Sequence, residues 1–514
     1  MDVDKHENDD ELTLVLELPE TDPLFGKKVS CTPDQLNDFL DVLVQRARII
    51  NFNEVELYFG GDIINLRDSI SPRNELEALH SILEVIDKSR SGEKYTMKTI
   101  QQKLQEEIVD RIDKVGMKFS EETKIVGDVS CDKEKGLLDW GVDNGVKTKL
   151  DIAYVEGAGR GAIAKEDLKV GDIALEIPVS VIISEELLYE SDMFSIFEKI
   201  DGISEETMLL LWSMKEKHNK KSKFKLYFDT LPERFNTGLS FGIDAVMSLD
   251  GTLLLEEVVQ AKEYDELFPT LSDRNPDVFP PELYTWEQFL WACELWYSNC
   301  MKVIFSDGKL RTCLIPVAGF LNHSICPHII HYGRIDATTN SLKFPLSRAC
   351  RSGEQCFLSY GNFSSSHALT FYGFLPQGDN PYDVIPLDID VAQDEDSGNS
   401  QISVKTQELL ETDIDVLRDL SATFEGMMEA LGDENPEDRE KASWDVKLAI
   451  EFRNSQRRII SSILTSCNAG CELLESELRK YTAKLLLLIY LLLMWNNFNV
   501  GNKEFESFDA GDLQ

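Results

Sequence analysis

Apolar positions recur with a helical period in the first quarter of the chain. Between Cys31 and about Asp128 the segments LNDFLDVLVQRARII, LEALHSILEVI and MKTIQQKLQEEIVDRI each place apolar residues three or four positions apart, which predicts three amphipathic helices. Ser71 and Pro72 separate the first helix from the second. Between these two helices, VELYFGG at 55–61 predicts a short strand. No chemical motif lies here, so we interpret the region as an accessory helical module.

The pattern changes at Leu150. The segment LDIAYVEGAGRGAIAKEDLKVGDIALEIPVSVII is rich in β-branched residues and interrupted by glycines, which predicts short strands joined by tight turns. Helical spacing follows from Ser184 to about Lys217 and again from Glu256 to Trp296, before short strands return between Leu310 and Pro386. The sequence therefore predicts a β-rich unit that is divided by a helical insertion.

Beyond Pro386 an acidic, polar stretch at 387–405 predicts a linker or surface loop. Long helical periods then run from Thr406 to Leu431 and from Glu437 to Phe498. The apolar run from Leu485 to Trp495 is shorter than the ~20 residues that span a bilayer, so it predicts a buried helix. We expect an amino-terminal extension at 1–135 and a β-rich domain at 136–386, with its insertion at about 185–296. A linker at 387–405 and an all-α carboxy-terminal domain at 406–500 are expected to follow.

Charge and cysteine usage narrow the choice of partners. The 514 residues carry 92 acidic against 52 basic side chains, a net charge of -40 that would repel a phosphate backbone, so nucleic acid is not expected as a partner. A basic protein segment is compatible with that charge, although a well-solvated acidic surface explains it as well. The ten cysteines include no CxxC pair, which argues against a zinc ribbon, and we interpret them as free thiols of a protein in a reducing compartment.

The amino-terminal sequence MDVDKHENDDELTLVLELPE is acidic. It has neither the apolar stretch of a secretory signal nor the Arg- and Ser-rich composition of a transit peptide. We therefore expect a cytoplasmic or nuclear protein that has no membrane anchor.

Two motifs are candidates for binding a ligand. In EGAGRGAIA, Gly159 and Gly161 let the chain approach a ligand closely, with Arg160 and Ala162 beside them, although an ordinary β-turn has the same composition. In AGFLNHS, Asn322 and His323 offer amide, imidazole and main-chain groups at the end of an apolar run. A structural histidine is the alternative for the second motif.

Aromatic residues form a third candidate group. Tyr360 precedes a glycine in LSYGNF, and Tyr372 and Phe374 follow in LTFYGF. Their rings can line a channel and exclude water, and a tyrosine hydroxyl can orient a reacting nitrogen. Ordinary core aromatics are the alternative, above all for Phe374.

The order of these motifs resembles that of SET-domain protein methyltransferases, in the branch of the plant Rubisco large-subunit lysine methyltransferase and the animal actin-histidine methyltransferase. The resemblance covers roughly residues 136 to 500 and includes LLDWGVDNG at 137–145, YFDTLPERFNTGLSF at 227–241 and LTFYGFLPQGDNPYD at 369–383. It implies an α+β SET fold with a pseudoknot, a helical insertion and a carboxy-terminal substrate-binding domain like that of the Rubisco enzymes. It also implies that this chain, like that branch, has no structural metal.

The resemblance also implies roles for individual residues. S-adenosylmethionine would be bound by Gly159, Arg160, Gly161, Ala162, Asn322 and His323 together with Tyr360. Tyr360 would be the catalytic tyrosine, and Tyr372 with Phe374 would line the acceptor channel. The reaction needs alignment and desolvation of a neutral nitrogen more than acid or base groups.

The sequence departs from the family pattern at two single positions and in one triplet. Asn299 stands where the family commonly has an arginine, and Gly319 where it has an acidic residue. Both usual residues contribute to cofactor binding, so each loss is expected to weaken affinity by ~1.5 to 3 kcal/mol. The usual Asn-Ala-Glu after the catalytic tyrosine is replaced by Ser365, Ser366 and His367.

Two hypotheses follow. The first is a methyltransferase that acts on a lysine, or as second choice a histidine, of a non-histone protein. The second is a SET-derived scaffold that binds proteins and has no catalytic activity. The departures at Asn299 and Gly319 support the scaffold, and the presence of Asn322, His323 and Tyr360 supports the enzyme.

Overall fold

The structure is a computed structural model, which describes residues 12–15, 28–31, 36–51, 71–88, 95–127, 129–199, 203–252, 254, 276–378, 380–383, 385, 402–432 and 442–506. The predicted strand at 55–61 and residues 387–401 of the predicted linker lie outside this set. The chain divides into two compact units, one of Met1–Ser240 with Ala261–Asp383 and the other of Phe241–Gln260 with Val384–Gln514. The predicted domain boundaries stay predictions.

The three predicted amino-terminal helices are confirmed as α1 (Leu36–Asn51), α2 (Pro72–Lys88) and α3 (Tyr95–Lys118). They share a core that includes Leu40, Leu79 and Ile108. Cys326 and Ile330, from the β-rich region, belong to the same core. Burial of these apolar side chains is what holds the helices against that region.

An antiparallel hairpin of β1 (Leu12–Val15) and β2 (Lys28–Cys31) precedes these helices. The apolar spacing did not predict it, because four-residue strands are too short for an alternating pattern to be distinguished.

The predicted β-rich unit is confirmed. After α4 (Asp132–Asp143), the strands are β3 (Lys147–Thr148), β4 (Leu150–Val155), β5 (Gly159–Ala164), β6 (Ile173–Pro178), β7 (Cys300–Ile304), β8 (Leu310–Leu314), β9 (Ile335–Asp336) and β10 (Ser341–Pro345). One sheet has the order β3-β6-β10-β9, while β4 with β5 and β7 with β8 form separate pairs. The glycine-rich motif therefore lies on the β4–β5 hairpin.

In its described part, the helical insertion consists of several separate helices. Its described helices are α5 (Glu186–Tyr189), α6 (Phe194–Phe197), α7 (Glu205–His218), α8 (Lys225–Thr230), α9 (Ile243–Ser248, in the second unit) and α10 (Trp286–Asn299). The helical spacing from Ser184 to about Lys217 corresponds to three separate helices, and the first two are divided where the Ser191 hydroxyl accepts the Met193 N–H at 3.2 Å and competes with helical bonding. In the second predicted stretch, α10 begins at Trp286, where Thr285 caps it, and residues 255–275 lie outside the described set.

The chain is threaded around residues 356–359. The Leu358 N–H donates to the Asn322 carbonyl at 2.8 Å, and the Ser359 N–H donates to the Ile329 carbonyl at 2.9 Å. This segment therefore runs between two parts of the loop 322–329, the arrangement expected of the pseudoknot. The chain continues into α11 (Ser365–His367) and a π-helical turn at Ala368–Tyr372.

The second unit is helical. Besides α9 it contains α12 (Ile402–Ala430) and α13 (Trp444–Glu506), which confirm the two long helices predicted there. Phe424, Leu431 and Ile460 form its small buried cluster. The run from Leu485 to Trp495 lies in α13, and its predicted burial falls outside what the structure describes. None of the described helices combines the length and the hydropathy that crossing a membrane requires.

Candidate active site

A strained point of the backbone, at Val317, precedes Asn322 and His323, which we call the Asn-His pair. Val317 has a φ of +74°, which costs a β-branched residue of the order of 1–3 kcal/mol, and a 3-10 turn at Ala318–Phe320 follows it. After this turn, Asn322 and His323 lie beside the threaded segment, where the Asn322 carbonyl accepts the Leu358 N–H. Strain of this kind is commonly retained where it fixes functional groups.

The Asn322 side chain joins two of the predicted motifs. Its Nδ2 donates to the Arg160 carbonyl at 2.9 Å and to Gln355 Oε1 at 2.7 Å. A Cβ at Gly161 would clash with the same Gln355 oxygen, so a larger residue there would displace the Gln355 side chain from Asn322. The Ala162 carbonyl accepts the Cys356 N–H at 2.8 Å. Gln355 was not predicted, because no motif includes it.

The Arg160 side chain is half-buried and makes three contacts within the protein. Its guanidinium lies 3.3 Å from Glu134, donates to the Thr230 carbonyl, and stands 5.4 Å from the Phe320 ring centre. The side chain is therefore committed to contacts within the protein. Any contribution of Arg160 to a bound ligand would come from its main chain.

Tyr360 is fixed at both ends. Its N–H donates to His323 Nδ1 at 3.1 Å, and its hydroxyl donates to the Leu321 carbonyl at 2.8 Å. Burial raises the pKa of the Tyr360 hydroxyl well above its usual range. The hydroxyl therefore stays protonated at neutral pH and remains a hydrogen-bond donor with a fixed direction.

The aromatic residues predicted from sequence lie together. The ring centres of Tyr372 and Phe374 are 5.1 and 6.4 Å from that of Tyr360, and the ring centre of His323 is 6.2 Å from that of Phe374. The π-helical turn ends at Tyr372, and such turns are frequent at functional sites. The structure thus brings residues from three distant motifs into one cluster.

A pocket of about 360 Å³, partly open to solvent, adjoins this cluster. It is lined by Ser298, Asn299, Cys300, Met301, Gly319, Leu321, Tyr332, Leu358, Tyr360 and Tyr372. None of these described residues is charged. The two single-residue departures, Asn299 and Gly319, are neighbours in this pocket, because a Cβ at Gly319 would lie 3.4 Å from Asn299 Oδ1.

The altered triplet after Tyr360 is built into the same region. Ser365 donates its hydroxyl to Asp383 at 2.8 Å, which ties α11 to the chain beyond Phe374. His367 stacks on Phe363 with ring centres 4.2 Å apart and lies 6.0 Å from Tyr372. In this chain His367 therefore extends the aromatic cluster.

Burial makes His323 sensitive to acid. Desolvation, together with the nearby Arg73 charge, lowers the pKa of the imidazole to about 4, although a hydrogen bond with the Leu358 main chain opposes the shift. An unfolded histidine has a pKa of ~6.5, so between those values the unfolded chain binds a proton that the folded chain does not. Stability from the neutral ring is therefore lost as the pH falls from about 6.5 to about 4.

We expect the free energy of unfolding of the wild type to fall by about 2 kcal/mol more than that of His323→Asn between pH 7 and pH 5. Urea denaturation of both proteins at the two pH values measures this difference. The asparagine variant keeps a side-chain acceptor for the Tyr360 N–H. Equal losses in the two proteins would contradict the buried neutral imidazole.

Three buried side chains of metal-binding type lie close together, with ligand atoms of His328, Cys350 and Cys356 within 4.8 Å of one another. His328 Nδ1 accepts the Phe357 N–H at 3.0 Å, so the ring hydrogen sits on Nε2, which has no partner among the described residues. A nitrogen that carries hydrogen has no lone pair to give a metal. We interpret the group as core thiols beside a structural imidazole, and the expected absence of a structural metal stays a prediction.

Solved structures with a similar fold identify the architecture. The SET domain of LSMT bound to lysine and AdoHcy matches with a TM-score of 0.51 and 15% identity over 67% of this chain and 92% of that chain. The same domain bound to MeLysine and AdoHcy matches with a TM-score of 0.52 and 16% identity over 68% and 94%. The chain has the fold of a SET domain.

Curated relatives of this SET domain are methyltransferases or SET proteins. They include SET domain-containing protein 4 of Mus musculus (24% identical; 48% of this chain, 58% of that protein) and [fructose-bisphosphate aldolase]-lysine N-methyltransferase, chloroplastic, of Arabidopsis thaliana (26%; 47% and 51%). The actin-histidine N-methyltransferase of Gallus gallus is 23% identical over 50% of this chain and 44% of that protein. The chain thus spans about half the length of the curated relatives it matches. No family profile matches it.

Proposed function

We propose that this protein transfers a methyl group from S-adenosylmethionine to a side-chain nitrogen of another protein, with lysine as the first candidate and histidine as the second. The observation that carries the proposal is the uncharged pocket in which the Tyr360 and Tyr372 side chains lie beside the threaded Asn322–His323 segment. An uncharged pocket favours the neutral, nucleophilic form of an amine over its ammonium form.

The residues at the site fit the cofactor. S-adenosylmethionine, when bound, supplies a methyl group activated by a positively charged sulfur. Gly159 has a φ of +70° and open space where a Cβ would point, which leaves room for a ligand against the β4–β5 hairpin. The Tyr360 hydroxyl stays protonated and held by the Leu321 carbonyl, so it orients a reacting nitrogen without removing a proton.

A protein is the substrate class that best suits the chain. The relatives are named for lysine N-methylation of fructose-bisphosphate aldolase, for N-methylation of the ribulose-1,5-bisphosphate carboxylase/oxygenase large subunit, and for histidine N-methylation of actin. The net charge of -40 is unfavourable for nucleic acid and compatible with a basic protein segment.

The second candidate is a protein-binding scaffold that has no catalytic activity. The pairing of Asn299 with Gly319 in one pocket favours it, because both positions of the family's arginine and acidic residue have lost their charge together. A scaffold is not required to bind the cofactor, so cofactor binding separates the two candidates.

Isothermal titration of the full chain with S-adenosylmethionine and with S-adenosylhomocysteine tests the proposal directly. We expect dissociation constants in the micromolar range, followed by transfer of a labelled methyl group to protein in a cell extract. Absence of binding heat, with a melting temperature that saturating ligand does not change, would reject the enzyme in favour of the scaffold.

A further inference from the structure

The amino-terminal helices reach the segment that carries Tyr360. Arg73, in the first turn of α2, donates from Nε to the Ser359 hydroxyl at 3.0 Å. Two residues earlier, the Ser71 hydroxyl lies 2.9 Å from that of Tyr382. The start of α2 therefore contacts the chain immediately before Tyr360 and again beyond Phe374.

Residues that follow α3 contact the other motifs. Glu121 accepts a hydrogen bond from the Ser324 hydroxyl, directly after the Asn-His pair. The Thr123 hydroxyl oxygen accepts the Gln355 N–H at 2.9 Å, and the Val126 N–H donates to the Tyr154 carbonyl at 2.8 Å on β4. All these contacts come from residues that precede 136, where the family resemblance begins.

Ser359, which directly precedes Tyr360, is held by hydrogen bonds at its N–H, its carbonyl and its hydroxyl. It is 4% exposed, its N–H is bonded to Ile329, and its carbonyl accepts the Tyr332 hydroxyl at 2.9 Å. Its hydroxyl is bonded by Arg73, whose guanidinium is itself oriented by an ion pair with Glu77 at 2.9 Å. A hydrogen bond from a charged donor is stronger than one from a neutral donor.

We propose that Arg73 is a positioning residue, which acts through Ser359 to fix Tyr360 against the Leu321 carbonyl, and that the amino-terminal helices are for this reason part of the active unit. The inference rests on the proposed function only for its effect on turnover. Without the Arg73 contact the Ser359–Tyr360 backbone gains freedom, and the Tyr360 hydroxyl spends less time in the direction that the reaction needs.

The test compares turnover and cofactor affinity in four full-length variants: Arg73→Ala, Ser359→Ala, the double variant and Arg111→Ala. We expect Arg73→Ala to lower kcat at least about tenfold while the dissociation constant for S-adenosylmethionine stays within about threefold. Because Arg73→Ala and Ser359→Ala remove the same hydrogen bond, kcat of the double variant should be no lower than that of the more affected single variant. Arg111, which pairs with Asp41 at 2.7 Å on the same helices, is the control and should keep wild-type turnover.

Unchanged kcat in Arg73→Ala, or additive losses in the double variant, would overturn the proposal. So would an equal loss in Arg111→Ala, since that would indicate general damage to the helices. Hydrogen exchange of the Leu358, Ser359 and Tyr360 amides provides a readout that needs no activity. If the wild type transfers no methyl group, the proposed function fails, but the positioning contact can still be tested by exchange. Faster exchange of these amides in Arg73→Ala, but not in Arg111→Ala, supports the contact. Equal exchange rates in Arg73→Ala and in the wild type reject it.

Discussion

Replacing Tyr360 with phenylalanine is expected to lower kcat at least about 100-fold and to leave the dissociation constant for S-adenosylmethionine within about threefold. The change removes only the hydroxyl that donates to the Leu321 carbonyl at 2.8 Å. Under the proposed function, alignment of the reacting nitrogen depends on that hydroxyl, whereas binding of the cofactor is expected not to depend on it. Single-turnover rates with labelled cofactor, combined with titration calorimetry, measure the two quantities separately.

Tyr284→Phe is the matched control for this experiment. The Tyr284 hydroxyl is also buried and also donates to a main-chain carbonyl, that of Leu211 at 3.2 Å, but it lies in the helical insertion and does not line the pocket. We expect it to cost some stability and to leave kcat unchanged. Equal losses of kcat and cofactor affinity in Tyr360→Phe would contradict the role assigned to the hydroxyl.

The second large effect is expected for Gly373→Ala, which should destabilise the fold by at least about 3 kcal/mol. Gly373 follows Tyr372 with a φ of +74°, and a Cβ there would lie 1.7 Å from the Asn236 carbonyl oxygen. Main-chain atoms cannot yield to a clash of this size without moving the end of the π-helical turn. We therefore also expect loss of methyl transfer in the folded fraction. Thermal unfolding and activity of the purified variant test both.

Gly378→Ala separates backbone strain from the clash. Gly378 has a similar φ of +78° but open space where its Cβ would point. Its substitution should cost about 1 kcal/mol, the conformational penalty alone. If the two variants were destabilised equally, the close approach of the insertion to Gly373 would not be the cause.

The elements with long local patterns were predictable from the sequence. The three amino-terminal helices and the two long carboxy-terminal helices follow from apolar spacing, and the glycines mark the β4–β5 hairpin. The threading of 356–359 was not predictable from periodicity. It depends on bonds from Leu358 and Ser359 to partners that are about 30 residues or more distant, and such pairings leave no periodic trace.

The grouping of the candidate side chains could be predicted from the sequence, but the groups that hydrogen-bond to them could not. Motif order alone suggested that Asn322, His323 and Tyr360 belong together. Gln355 and the Leu321 carbonyl could not be inferred, because the first belongs to no motif and the second is a main-chain atom. Nor does any sequence spacing show that Asn299 and Gly319 are neighbours, since they come from α10 and from the turn before the Asn-His pair.

The amino-terminal helices share one core with residues near the threaded segment, and this affects how the protein folds during synthesis. Leu40, Leu79 and Ile108 leave the ribosome early and can pack together as helices. Cys326 and Ile330 emerge about 200 residues later, which at ~5–20 residues per second is a delay of roughly 10 to 40 s. During that interval the apolar face that they will cover is exposed, and the nascent chain offers chaperones a binding surface that the finished protein has buried.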